Sequence, residues 1–165
     1  MPSHILSVLV ENHAGVLSRV SGLFARRGFN IESLAVGTTE DKAISRITIV
    51  VNGDDYVVDQ VTKQLSKLID VIKIVKLDED NTVSRELALV KVNATSKTRA
   101  EIIQIVDIFR AKIIDVSKTT LTIEMTGTIN KISAFSDMLS GFGICELART
   151  GLISLERGNQ VLKTK

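Results

Sequence analysis

The feature that most constrains this chain is an order of elements that reads the same way twice. Residues 5–10 form an almost unbroken β-branched and apolar run, the composition of a strand buried on both faces. Residues 12–15 break it. Leu17, Val20, Leu23 and Phe24 then recur at three- and four-residue spacing, the mark of an amphipathic helix. Arg26 and Arg27 suit the negative end of that helix's dipole, and Gly28 supplies a left-handed cap. Residues 30–37 read as a second strand and residues 39–42 as a loop. Ile47, Ile49 and Val51 then alternate with Arg46 and Thr48 in a third strand with one wetter face. Residues 52–55 give a turn and a helix start. Val57, Val61, Leu65 and Leu68 mark one face of a second helix, and residues 71–77 a fourth strand. The order β-α-β-β-α-β is the split pattern of ferredoxin-like folds, whose two crossovers lay both helices on one face of the sheet.

Beyond an acidic, polar span at 78–85, read as a linker, the order returns. Residues 87–92 are apolar, and Thr98 with Glu101 forms a candidate capping box ahead of Ile102, Ile105, Val106 and Phe109. Residues 113–116 and 121–125 read as a hairpin with Leu121, Ile123 and Met125 inward. Ile132, Phe135 and Leu139 mark a helix, 141–143 a break and 144–147 a last strand. The expected class is α+β, with two ferredoxin-like βαββαβ domains in tandem at 1–77 and 86–165. A length of 165 residues suits two such halves of about 80 residues each.

Composition removes several functions. No apolar run approaches the roughly 20 residues that cross a bilayer, and the N-terminus lacks a signal-peptide layout, so a cytoplasmic protein is expected. A single cysteine, Cys145, excludes an internal disulfide and is expected in the core. Lys plus Arg against Asp plus Glu is 21 to 19, which gives nucleic acid no bulk charge to meet. The second half is the more basic, with 12 basic and 8 acidic groups after residue 80 against 9 and 11 before it. His4 and His13 stand apart without a carboxylate pattern around them, so no metal site is expected. His13 lies on a turn, where its charge can tune a neighbouring site with pH.

The most informative stretch runs from Glu11 to Leu17, where the buried strand turns into the helix. A helix N-terminus presents unpaired N–H groups and a partial positive charge, and Gly15 carries no Cβ to block approach. A carboxylate fits there as a phosphate does. The same residues also serve a plainer role, with Asn12 as a helix cap and Gly15 as a packing glycine. Asn12 closes the first strand and Asn30 opens the second, which runs parallel to it. The two therefore lie at opposite ends of one domain, about 21 Å apart for a helix of ~14 residues. A ligand touching both must sit between two chains paired along their second strands, and an exposed edge strand needs covering in any case.

Read as ENHAGVLSRVSGLFARRGFNIESLAVG, residues 11–37 resemble the ACT-domain signature of the small regulatory subunits of acetolactate synthase (acetohydroxyacid synthase). SRITIVV at 45–51, LVKVNA at 89–94 and FRAKIIDVS at 109–117 fit the same family. Generic ACT domains tend to show Asp and Pro around the turn glycine. Asn12 and Ala14 fit the small-subunit subgroup better. The resemblance implies a non-catalytic chain that binds and activates a thiamine-dependent catalytic subunit. It also implies feedback inhibition by valine or a related branched-chain amino acid held between the ACT domains of a homodimer. No cofactor is then expected in this chain; thiamine diphosphate, Mg and FAD belong to the catalytic partner. By position, Asn12, Gly15, Val16 and Leu17 would meet the effector from one subunit, and Asn30, Ala35 and Gly37 from the other. Gln60 on the second helix is a further candidate.

Two other uses of this fold are disfavoured by the residues. An acyl-phosphate hydrolase needs an arginine in the loop after the first strand, and none precedes Arg19, a turn into the helix. An RNA-recognition surface needs aromatics on its central strands, and residues 5–10 and 47–51 contain none.

Overall fold

The apolar run becomes β1 (Ser3–Glu11) in the computed structural model, which describes residues 2–164. It lies inside a four-stranded antiparallel sheet between β3 (Ile44–Asn52) and β4 (Val71–Leu77), with β2 (Ile31–Thr38) at the edge beyond β3. Strands β1 and β2 are therefore parallel, as expected, with β3 between them. Helices α1 (Val16–Arg27) and α2 (Asp55–Ser66) form the crossovers. Val16, Val20, Leu23 and Phe24 of α1, with Val58, Val61 and Leu65 of α2, close a core against Leu6, Val8, Val10, Ile47, Ile49 and Val51. Gly28 ends α1 at φ 67°, and the Asp54 side chain caps α2 by accepting from the Val57 N–H at 3.0 Å.

Burial of β1 on both faces has a specific cause. Ile5, Ser7 and Leu9 point away from the helices and pair with Val50, Thr48 and Arg46, yet all three are buried. The chain's last stretch, from Leu152 on, belongs to this first unit. The Leu152 N–H donates to Ser33 Oγ at 2.9 Å across 119 positions of sequence. Leu155 and Leu162 line a cavity of about 280 Å³ with Arg46 and Leu77, and Leu162 lines another of about 230 Å³ with Leu9 and Ile44.

The second unit repeats the plan with β5 (Thr82–Asn93), α3 (Arg99–Ile108), β6 (Lys112–Val116), β7 (Thr120–Gly127), α4 (Ile129–Ser140) and β8 (Ile144–Arg149). Its strand order is β6-β7-β5-β8. The inward set of the expected hairpin is correct: Leu121, Ile123 and Met125 are buried with Ile102, Ile132, Phe135 and Leu139.

Four expectations fail, each for a local reason. Residues 78–85 are not a linker. Asp78 accepts from the Asp80 N–H at 3.1 Å to start one turn of 3-10 helix (Glu79–Asn81), and β5 begins at once. The polar residues there misled because Thr82, though polar, is buried and already part of that strand, its hydroxyl donating to the Asp78 carbonyl at 2.6 Å. The first unit runs to Val83 and regains the chain at Leu152, so residues 152–164 do not belong to the second domain. Thr98 makes no capping bond to its helix; its hydroxyl accepts from the Thr95 N–H at 2.9 Å instead. Cys145 is exposed on β8, its thiol donating to Asn93 Oδ1 at 3.2 Å, rather than buried. Among the described residues no helix is long and apolar enough to cross a membrane.

Candidate functional site

The junction between β1 and α1 is stitched to both neighbouring turns. The Glu11 N–H donates to the Asp70 carbonyl at 3.0 Å and the Asn12 N–H to the Ala43 carbonyl at 2.8 Å. The Asn12 side chain donates from Nδ2 to the Lys42 carbonyl at 2.9 Å. Asn12 is therefore not the helix cap. That position falls to Gly15, at φ 88°, with no side-chain bond closing the first turn. A left-handed backbone there favours glycine. The Val16 N–H donates to the His13 carbonyl at 3.5 Å, which leaves the N–H groups of Leu17 and Ser18 available to an anion, and the Asn12 side-chain carbonyl oxygen remains as an acceptor.

Among the candidate residues, Asn12, Gly15, Val16 and Leu17 stand together at this junction. Val16 is only 4% exposed, belongs to the core and donates its N–H to the His13 carbonyl, so it offers no apolar wall to the surface. Leu17, 44% exposed, is the apolar side chain that does face out. On β2, Ala35 pairs with Thr48 and Gly37 with Arg46, on the sheet face opposite the helices. Gly37 lies at the junction's end of the sheet, because Thr38 pairs with Ser45 and Glu11 with Ile44. Asn30, exposed, precedes β2 at the other end, where Ile31 meets Val51. One chain does not bring Asn30 to Asn12. Gln60 is half-buried on α2, and His4 is engaged at 3.1 Å with the Gly53 carbonyl.

Sequence reasoning missed a charged group over the same junction. The Arg19 side chain folds back over Gly15, so closely that a Cβ built on Gly15 would lie 2.9 Å from Arg19 Nη1. Arg19 Nε donates to Asp70 Oδ2 at 2.6 Å. Asp70, 5% exposed in the turn before β4, offers its other oxygen to His13 Nε2 at 3.0 Å. His13 Nε2 also faces Glu11 Oε2 at 3.1 Å, and Nδ1 faces the Ala14 carbonyl at 3.3 Å. The Ala14 carbonyl, then the Glu11 carboxylate and the Asp70 charge, raise the His13 pKa above the usual histidine value. Ligand atoms of Glu11, His13 and Asp70 lie within 4.8 Å of one another, but Arg19 already supplies a cation to Asp70. The spacing of Gly15 and Arg19, one helical turn apart, was a readable signal; nothing local announced Asp70.

Residues 6–73 match the family model for the AHAS small subunit-like ACT domain, and residues 85–158 the model for the small subunit of acetolactate synthase. The chain is 59% identical over 157 residues to the acetolactate synthase small subunit of Mycolicibacterium smegmatis, covering 95% of this chain and 92% of that one. It is 56% identical over 157 residues to the probable acetolactate synthase small subunit of Archaeoglobus fulgidus, covering 95% and 98%. The crystal structure of the acetolactate synthase small subunit from Thermotoga maritima superposes with a TM-score of 0.90 at 44% identity, covering 97% of this chain and all of that one.

Proposed function

The chain belongs to the family of acetolactate synthase small subunits, and on that premise we propose that it is the non-catalytic regulatory subunit of such an enzyme. In this reading it binds and activates the catalytic subunit, which carries the thiamine diphosphate, Mg and FAD. It confers inhibition by valine or a related branched-chain amino acid held between the ACT domains of two chains.

The observation that carries the effector reading is the pairing of an uncapped α1 N-terminus with a β2 strand at the edge of its sheet. Two β2 strands running antiparallel about Leu34 would set Asn30 of one chain against Thr38 of the other. Asn30 would then stand beside the other chain's Asn12 junction. The α1 N–H groups take the amino acid's carboxylate, the Asn carbonyl oxygens its ammonium, and Leu17 its aliphatic side chain. An aliphatic slot separates valine from leucine by only about 1–3 kcal/mol per methylene, so selectivity among the branched-chain residues is partial. Coupling is reciprocal, so the catalytic subunit must alter effector affinity in turn.

Titration calorimetry of valine, leucine and isoleucine, with mass in solution, tests this reading. Saturable binding in a dimer or larger assembly is expected. Asn12→Ala and Asn30→Ala should each weaken binding while leaving the melting temperature nearly unchanged, because the Asn12 bond to Lys42 is exposed and worth about 1 kcal/mol. Unchanged affinity in both variants would remove these residues from the site. A chain that leaves the catalytic subunit's activity unaltered would end the regulatory assignment.

A further inference from the structure

Both ring nitrogens of His13 face acceptors: Nε2 meets the carboxylates of Glu11 and Asp70, and Nδ1 meets the Ala14 carbonyl. A neutral imidazole donates from one nitrogen alone, so only the imidazolium satisfies all of these partners. Asp70 is nearly buried, and its two oxygens are divided between His13 and Arg19. That division fixes where the Arg19 guanidinium lies, directly over the left-handed Gly15 at the start of α1. Nε is used on Asp70, and the Nη groups are the part turned to Gly15.

We propose that Asp70 is a positioning residue for the effector junction, holding Arg19 over Gly15 and His13 in its charged form, so that capture of the effector's carboxylate is linked to a proton. The inference rests on the effector reading above and names the regulation of that site. The charged groups facing His13 are Glu11 on β1 and Asp70 from the turn before β4; Arg19 on α1 faces Asp70 from the other side. With His13 protonated, the four side chains sum to zero. Without that proton they carry one negative charge in excess, in front of an incoming carboxylate. Loss of the proton also frees Asp70 to draw Arg19 more strongly to itself. Both effects weaken anion binding as pH rises, and by linkage a bound carboxylate raises the His13 pKa.

The test follows His13 by NMR in the full chain, which has only two histidines, with His4→Gln to identify the other signal. Amide signals of Gly15 and Leu17 are recorded through the same titration from pH 5.5 to 9. Valine affinity is measured over that range for the wild type, His13→Gln and Asp70→Asn, with Asp70→Glu as the conservative rescue. The expected results are a His13 midpoint above 6.5 that Asp70→Asn lowers, and amide shifts that share that midpoint. Valine affinity should fall roughly threefold to tenfold across the titration, as one unscreened charge a few ångströms away implies. His13→Gln should flatten that profile while still binding valine. A His13→Gln profile with the wild-type slope overturns the proposal, as do junction amides indifferent to His13. If no branched-chain amino acid binds at any pH, the effector reading fails. Amide shifts that track His13 then still support the Asp70 linkage, and their absence overturns it.

Discussion

Glu86 and Arg149 form a two-pronged pair between β5 and β8, with Arg149 Nε on Glu86 Oε1 at 2.8 Å and Nη2 on Oε2 at 2.7 Å. The carboxylate is 3% exposed and the guanidinium 36%, so the pair is lopsided: its acid is inside and its base at the surface. Removing the base strands a buried charge. Arg149→Met is expected to cost about 2–3 kcal/mol in urea unfolding, at or just below the usual range for breaking a buried pair because Arg149 is partly solvated. Glu86→Leu with Arg149→Met should recover most of that loss.

Gly15→Ala puts a Cβ on a backbone at φ 88° and within 2.9 Å of the Arg19 guanidinium. The left-handed strain costs roughly 1–2 kcal/mol. The new methyl also pushes Arg19 off its position. Valine binding by calorimetry should therefore suffer well beyond the modest drop in stability. A variant that is destabilised but binds normally would separate Gly15 from the site.

Ending the chain at Gly151 removes Leu152 and Leu155 from the outer face of the first sheet. Leu152, at 2% exposure, alone represents about 1.5–3 kcal/mol of burial. The truncated chain should melt lower and bind a hydrophobic dye, because Leu9 and Leu77 would meet water. Unaltered melting would mean that those residues are covered by something else.

The raised His13 pKa also makes stability depend on pH. Its contribution is full below about 6.5, the unfolded value, and is lost as pH climbs through the higher folded value. Melting temperature should fall over that window, and the difference between wild type and His13→Gln isolates the part due to this residue.

Much of the fold was legible because alternation and helical spacing report burial directly. Leu121, Ile123 and Met125 turned inward as their period required, and the unbroken run from Ile5 announced a strand covered twice. What covered its second face was not legible, since the covering segment lies more than a hundred positions away and has no period of its own. The linker reading failed at Asp78 and Thr82, whose polar side chains read as a loop although they start a 3-10 turn and open the next strand. At the site, Asn12, Gly15 and Leu17 were legible as a strand-to-helix junction. Asp70 was invisible because only the closing of the sheet brings the turn before β4 alongside Glu11.

The bond from Leu152 to Ser33 has a consequence for synthesis. A chain leaving the ribosome from its N-terminus offers residues up to Gly151 before any of the final segment appears. The second unit, contained wholly within residues 84–151, can therefore close first, although its sequence is the later of the two. The earlier-made unit waits with Leu9 and Leu77 bare until the segment from Leu152 on emerges. Termination after Gly151 would thus damage the unit that was made first.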